Sequence, residues 1–74
     1  MNNIPSRDTI IRLRKQYPKG CRVELIRMND PYATLKAGDL GTVEFIDDIG
    51  TIFCSWDSGS TLGVVYGEDI VKRI

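Results

Sequence analysis

Few side chains in this sequence are of the types that do chemistry. Cys21, Cys54 and the adjacent carboxylates Asp47 and Asp48 are the candidates, in a chain with no histidine. Without imidazole, the commonest general base and the commonest metal ligand are both missing. Asp47-Asp48 has the composition of a catalytic or cation-binding pair, but EF-hand spacing and a third acidic ligand nearby are absent. Followed by Ile49-Gly50, the pair reads instead as turn chemistry, Asx-type side chains ahead of a glycine. Cys54 as a nucleophile would need an activating base or a positive field. It alternates with Ile52 and Trp56, which makes it a small buried hydrophobe. Cys21, beside Lys19 and Arg22, is expected to be exposed, a structural thiol rather than a reactive one. The six glycines from Gly38 to Gly67 fall at strand ends, and no G-x-x-x-x-G-K-[ST] phosphate loop occurs. These residues point away from an enzyme, with no cofactor and no bound metal.

The elements that must position these groups centre on Gly38 to Val65. Val43 and Phe45 are expected on one face and Thr42 and Glu44 on the other, the period of a half-buried strand. After the Asp47–Gly50 turn, Ile52, Cys54 and Trp56 share a face opposite Thr51, Phe53 and Ser55, which puts Trp56 in the core. Asp57-Ser58-Gly59 then turns the chain into a third run, Thr61 to Val65. The three runs make a meander. A flat meander this small would leave its apolar face wet, so it must curl and close on flanking strands.

Flanking elements are legible on both sides. Ser6 reads as an N-cap, and a helix follows from Arg7 to Gln16 or Tyr17, with Asp8 near its start and Arg14 and Lys15 near its end. Ile10, Leu13 and Tyr17, with Ile11 beside them, supply an apolar face, while Arg7, Arg14 and Lys15 point outward. Pro18 and Gly20 stop the helix. Cys21 to Met28 reads as a strand with Val23 and Leu25 in the core and Glu24 and Arg27 less buried. Asn29 to Ala37, with Asp30-Pro31-Tyr32, is the longest loop. Tyr66-Gly67-Glu68-Asp69 is a turn or short 3₁₀ segment before a last strand, Ile70 to Ile74.

Seventy-four residues allow one domain. Ten basic and ten acidic residues cancel, but unevenly along the chain. Residues 1–28 carry seven bases against two acids, a local excess of +5; residues 29–71 carry Lys36 against eight acids, a local excess of −7. Opposite poles of this kind favour self-association into a homo-oligomer, or two different partners. Two cysteines this far apart make neither a disulfide framework nor a metal knuckle. The polar N-terminus lacks the apolar run of a signal peptide, and no stretch approaches the ~20 apolar residues of a membrane span. A cytoplasmic protein with reduced thiols is expected.

The phrases MNDPY (Met28 to Tyr32), GDLGTV (Gly38 to Val43), DDIGTIF (Asp47 to Phe53), WDSGSTLG (Trp56 to Gly63) and YGED (Tyr66 to Asp69) carry a resemblance. Together they resemble domain-of-unknown-function family 4314, small bacterial proteins frequent on mobile elements, from Lys19 to Ile74. The G-x-x-G-x-V phrase and the strand ending Trp-Asp are also similar to KOW and other SH3-like barrels. Cys54 departs from the β-branched residue the family tends to carry. The resemblance implies a compact β-barrel and brings no reaction, cofactor or catalytic residue. The expected fold is therefore mainly β: a small SH3-like five-stranded barrel over residues 19–74 with a short N-terminal α-helical segment, residues 1–18, packed on it as one structural domain.

Three binding surfaces follow. The first is a protein-binding surface of Asp30, Tyr32, Tyr66 and Asp69, where aromatic rings in turns can serve as anchors. The second is an acidic rim of Asp39, Asp47, Asp48, Asp57 and Glu68. Such a rim can occupy a site evolved for phosphates, which is how an anti-defence protein of a phage or mobile element would inhibit a host nuclease. The third is a nucleic-acid adaptor built on the basic helix with Arg7, Arg12, Arg14 and Lys15. A pI near 6.1 is far from a nucleic-acid-binding footprint. A protein partner is expected first and nucleic acid last.

Overall fold

The computed structural model describes residues 5–29 and 34–74. The chain order is α1 (Arg7–Gln16), β1 (Arg22–Arg27), β2 (Leu40–Ile46), β3 (Thr51–Trp56), β4 (Gly63–Val65) and β5 (Ile70–Arg73). All five strands form a single antiparallel sheet in the order β4-β3-β2-β1-β5.

α1 starts where its cap predicts. The Thr9 amide donates to Ser6 Oγ at 3.2 Å, and Asp8 and Arg14/Lys15 sit at the ends that suit the helix dipole. Ile10, Leu13 and Tyr17 are buried, while Ile11 remains 45% exposed. A helix this short depends on docking for its order, and Arg14 does part of that docking. Its Nε and Nη2 donate to the Ile46 carbonyl at 3.2 and 3.0 Å, and Nη2 also meets Asp48 Oδ1 at 3.0 Å. Arg14 is exposed as expected, and its guanidinium also ties α1 to the far end of β2.

Alternation survives along β3, where Ile52, Cys54 and Trp56 are buried, and along β1, where Val23 and Leu25 are fully enclosed. It fails in β2. Val43 pairs with Cys54 but Phe45 pairs with Phe53, so Glu44 is an extra residue, a β-bulge. The bulge inverts the pleat. Phe45, expected beside Val43 in the core, is 56% exposed and stacks on Phe53 with ring centroids 4.7 Å apart, while Ile46 takes the inward place. A second bulge at Ile26 interrupts the β1–β5 pairing. Bulges raise local twist, and these two bend the sheet around a core of Val23, Leu25, Leu35, Val43, Ile52, Cys54, Trp56 and Val64, closed at one side by Leu13 and Tyr17.

The β2–β3 turn has the expected chemistry. Asp47 Oδ1 accepts the Ile49 and Thr51 amides at 3.0 and 2.9 Å, and Gly50 takes φ +87°. Only part of the third run is strand. Thr61 and Leu62 lie outside β4, where the Leu62 carbonyl accepts the Trp56 indole N–H at 2.9 Å. The mainly β architecture is as expected, and the five strands form one sheet that is not closed by a ladder. No ladder joins β4 to β5; between them stands the Tyr66–Asp69 turn, with a lone bridge between its end residues. The β5 edge is instead engaged by the end of α1. Tyr17 Oη donates to the Val71 carbonyl at 3.4 Å, and Arg73 Nη1 donates to the Gln16 carbonyl at 3.2 Å. Side-chain cover of this kind blunts a strand edge.

Candidate functional site

The unclosed seam between β4 and β5 is the most distinctive feature of the surface. A groove of about 470 Å³ runs along it, floored by Leu13, Ile52, Val64 and Val71 and rimmed by Tyr66 and Ile70. Tyr66 is 43% exposed and Ile70 48% exposed. The C-terminal half of α1 supplies one wall through Leu13, Gln16 and Tyr17, the last bonded to the Val71 carbonyl.

Asp69 holds the rim in shape. Its Oδ2 accepts the Val65 amide at 2.9 Å, and its Oδ1 accepts the Asn29 amide at 2.7 Å. One carboxylate thus binds the end of β4 to the chain leaving β1, and the Glu68 and Asp69 amides close the turn on the Val65 carbonyl. Both oxygens face backbone, so Asp69 shapes the site rather than presenting a charge to a partner. Tyr66 and Asp69 are brought together as the sequence suggested, and Asn29 anchors the start of the 29–37 loop at the same place. Asp30 and Tyr32, the other two residues assigned to this surface, lie outside the described residues.

The carboxylates assigned to an acidic rim do not share one. Asp39 and Asp57 stand at the start of β2, where the Asp57 amide donates to the Leu40 carbonyl. Asp47 and Asp48 follow its other end, on the order of 20 Å away for a strand of this length. Most are already engaged. Asp39 Oδ2 accepts the Lys36 amide at 3.1 Å and Asp47 forms the hairpin turn. Asp57 makes a two-pronged pair with Arg22, Nη1–Oδ1 2.8 Å and Nη2–Oδ2 2.6 Å. That guanidinium, by hydrogen bond first and charge second, holds the Asp57 carboxyl below its usual range. Asp48 pairs with Arg14 although its side chain is 98% exposed. Glu68 is exposed in the seam turn. On α1, Arg7, Arg12 and Lys15 are exposed, whereas Arg14 is committed to docking.

The thiols offer no activated nucleophile. Cys54 is buried, and burial, with smaller contributions from Cys21 and Glu44, pushes its pKa up to about 11. Cys21 is half-buried against the core rather than exposed as expected, because its carbonyl accepts the Val43 amide at 2.9 Å and draws it beside β2. Burial also raises the Tyr17 hydroxyl, with Cys21 adding to the shift. Among the described residues no three Cys, Asp or Glu side chains gather in a metal-holding arrangement. No helix of the described residues is long and apolar enough to cross a membrane.

Two features escaped the sequence pattern. Ile70 was placed in a strand without a reason for half of it to stay exposed, and the Phe45–Phe53 stack was hidden by the assumption of unbroken alternation. The adjacency of Phe45 and Ile46, two large apolar residues in succession, was the available signal for the bulge.

Fold and site define a small one-sheet β domain with one N-terminal helix, carrying an apolar groove between the helix and the β4–β5 turn. The family model for DUF4314, a domain of unknown function, matches residues 6–74, and the chain belongs to that family. Neither the curated proteins nor the solved structures contain a match to the chain.

Proposed function

We propose that the chain is a non-catalytic binding module that engages a protein partner through the Tyr66 turn and the groove beside it. The observation that carries this reading is the half-exposed ring of Tyr66 standing over a preformed apolar groove on a turn fixed by Asp69. A rigid aromatic anchor beside a hydrophobic pocket is the usual centre of a protein interface. Asn29, where the 29–37 loop begins, is held by the same carboxylate. The SH3-like barrel remains the finer reading of the fold: the strand order β5-β1-β2-β3-β4 and the short turn between β4 and β5 fit it, with the seam as its unclosed side. Two unpaired thiols suit a reducing cytoplasm, and the resemblance noted above suits a bacterial mobile element.

An anti-defence role against a host nuclease is supported only in its protein-blocking form, through the same groove, because the carboxylates are divided between two ends of β2. Nucleic-acid binding loses Arg14 and Arg22 to internal pairs. The test is capture from bacterial lysate with immobilised wild type, Tyr66→Ala and Arg12→Glu/Lys15→Glu, with and without nuclease treatment. A partner that survives nuclease, is lost with Tyr66→Ala and is kept by the charge-reversed helix is the expected result. Partners lost on nuclease treatment, or kept by Tyr66→Ala, overturn the reading.

A further inference from the structure

On the other flank of α1 lies a second groove, of about 480 Å³, lined by Pro5, Arg7, Ile10, Ile11, Arg14 and Asp48. Its wall is apolar where Ile11 stays 45% exposed, and its rim carries two guanidiniums. Beside it stands the β2–β3 hairpin, whose tip has a feature the turn itself does not require. Turn formation is met by Asp47, which takes two amides, and by Gly50. Asp48 and Ile49 are left over: an almost fully exposed carboxylate and an isoleucine side chain 54% exposed at the tip. Asp48 uses only Oδ1 on Arg14, and Arg7 makes no ion pair among the described residues.

The groove asks for an apolar side chain next to an acid, and the hairpin offers one. We propose that this corner is a self-association surface, in which Ile49 of a second copy enters the groove and its Asp48 meets Arg7, reciprocally about a two-fold axis. Groove and plug lie side by side on one molecule, which is what an isologous contact needs, since each copy must present both halves. The charge signs agree in both directions of the exchange, and zero net charge leaves no long-range repulsion between copies. A hairpin tip in a groove, made twice, buries less than the ~800 Å² per partner of a tight complex. The dimer is therefore expected to be a weak, reversible one. This groove adjoins the Tyr66 groove at Gly50, which lies against both Pro5 and Tyr66, but shares no lining residue with it, so Ile49→Asp and Tyr66→Ala tell the two readings apart.

Sedimentation equilibrium of the full chain over a concentration series to roughly 1 mM tests it, with far-UV circular dichroism as the fold control. The expected mass rises from 8.3 kDa toward twice that value and falls back when salt is raised. Ile49→Asp and Arg7→Glu should each hold the chain monomeric, and both positions are exposed enough to spare the fold. Arg7→Lys, which keeps the charge and leaves the Arg14–Asp48 pair untouched, should keep the dimer. A monomer at every concentration overturns the proposal. So does a dimer indifferent to Ile49→Asp or to Arg7→Glu.

Discussion

Asp69→Ala is the perturbation that best separates a clamp from a contact residue. Among the described residues the carboxylate accepts two backbone amides, Asn29 at 2.7 Å and Val65 at 2.9 Å, and pairs with no side-chain cation. Hydrogen bonds to a charged acceptor contribute about 1.5–3 kcal/mol when sheltered. Both of these lie at the surface, where water can replace the lost partner, so about 1 kcal/mol each is the appropriate figure. The sum, about 2 kcal/mol, is a large share of the ~4–11 kcal/mol that a chain of this length holds. It corresponds to a fall in Tm of roughly 10 °C. Asp69→Asn should recover little, since the amide group would turn one N–H donor toward another. Urea unfolding gives the stability change, and amide hydrogen exchange locates it: Asn29 and Val65 should lose protection together. Unchanged stability, or loss of protection at only one of the two amides, would refute the clamp and return Asp69 to the role of a charge displayed to partners.

Three further expectations test the fold around the site. Val43→Ala, at a position 1% exposed, should cost about 2 kcal/mol, whereas Phe45→Ala removes only a surface stack and should cost about 0.5–1 kcal/mol; equal costs in urea unfolding would mean the bulge at Glu44 is misplaced. Gly41→Ala would bring a Cβ to 2.7 Å from Trp56 Cε3 and 3.2 Å from the Ser55 carbonyl. A ring held by its indole hydrogen bond cannot yield, so a loss of about 2–3 kcal/mol and a changed Trp fluorescence are expected. Because Asp57 has its folded pKa lowered by Arg22, the pair's contribution is present above the unfolded carboxyl pKa and disappears as pH falls through the folded value. The Tm difference between wild type and Arg22→Gln should therefore shrink below about pH 4, and a difference constant with pH would count against the pair.

What the sequence disclosed, and what it hid, divides by the range of the interactions. α1 was legible because its cap, dipole charges and Ile10–Leu13–Tyr17 face are all local. β3 was legible because nothing interrupts its period of two. Asp47 was legible as a turn former for the same reason, its partners lying two and four residues away. β2 was misread because a strand's period is counted along one chain, whereas a bulge is defined by the partner strand. The edges of the sheet were hidden for a related reason. Pattern shows that β4 and β5 exist, but not that Thr61 and Leu62 leave β4, or that no ladder joins β4 to β5. Asp48 and Asp57 were taken as displayed charges, yet their partners lie 34 and 35 residues away, and Asp69 adds to a local bond with the Val65 amide a second one 40 residues away. No local rule reaches that far.

The division of charge along the chain has to be read again in that light. Two of the ion pairs, Arg14–Asp48 and Arg22–Asp57, join the basic first part of the sequence to the acidic second part. Exposed pairs of this kind contribute little stability individually, but their placement is not random. One pins α1 to the β2–β3 hairpin and the other pins the start of β1 to the turn after β3. The two poles seen in sequence are in part counterions to one another within a single fold, so neither pole is available whole to an outside partner. What remains on α1 is Arg7, Asp8, Arg12 and Lys15, and in the turn beside the Tyr66 groove it is Glu68. A groove with so few charges about it discriminates by shape and apolar contact more than by field, which is why Tyr66 and Ile70 carry its recognition argument, whereas the hairpin corner relies on Ile49 together with Asp48.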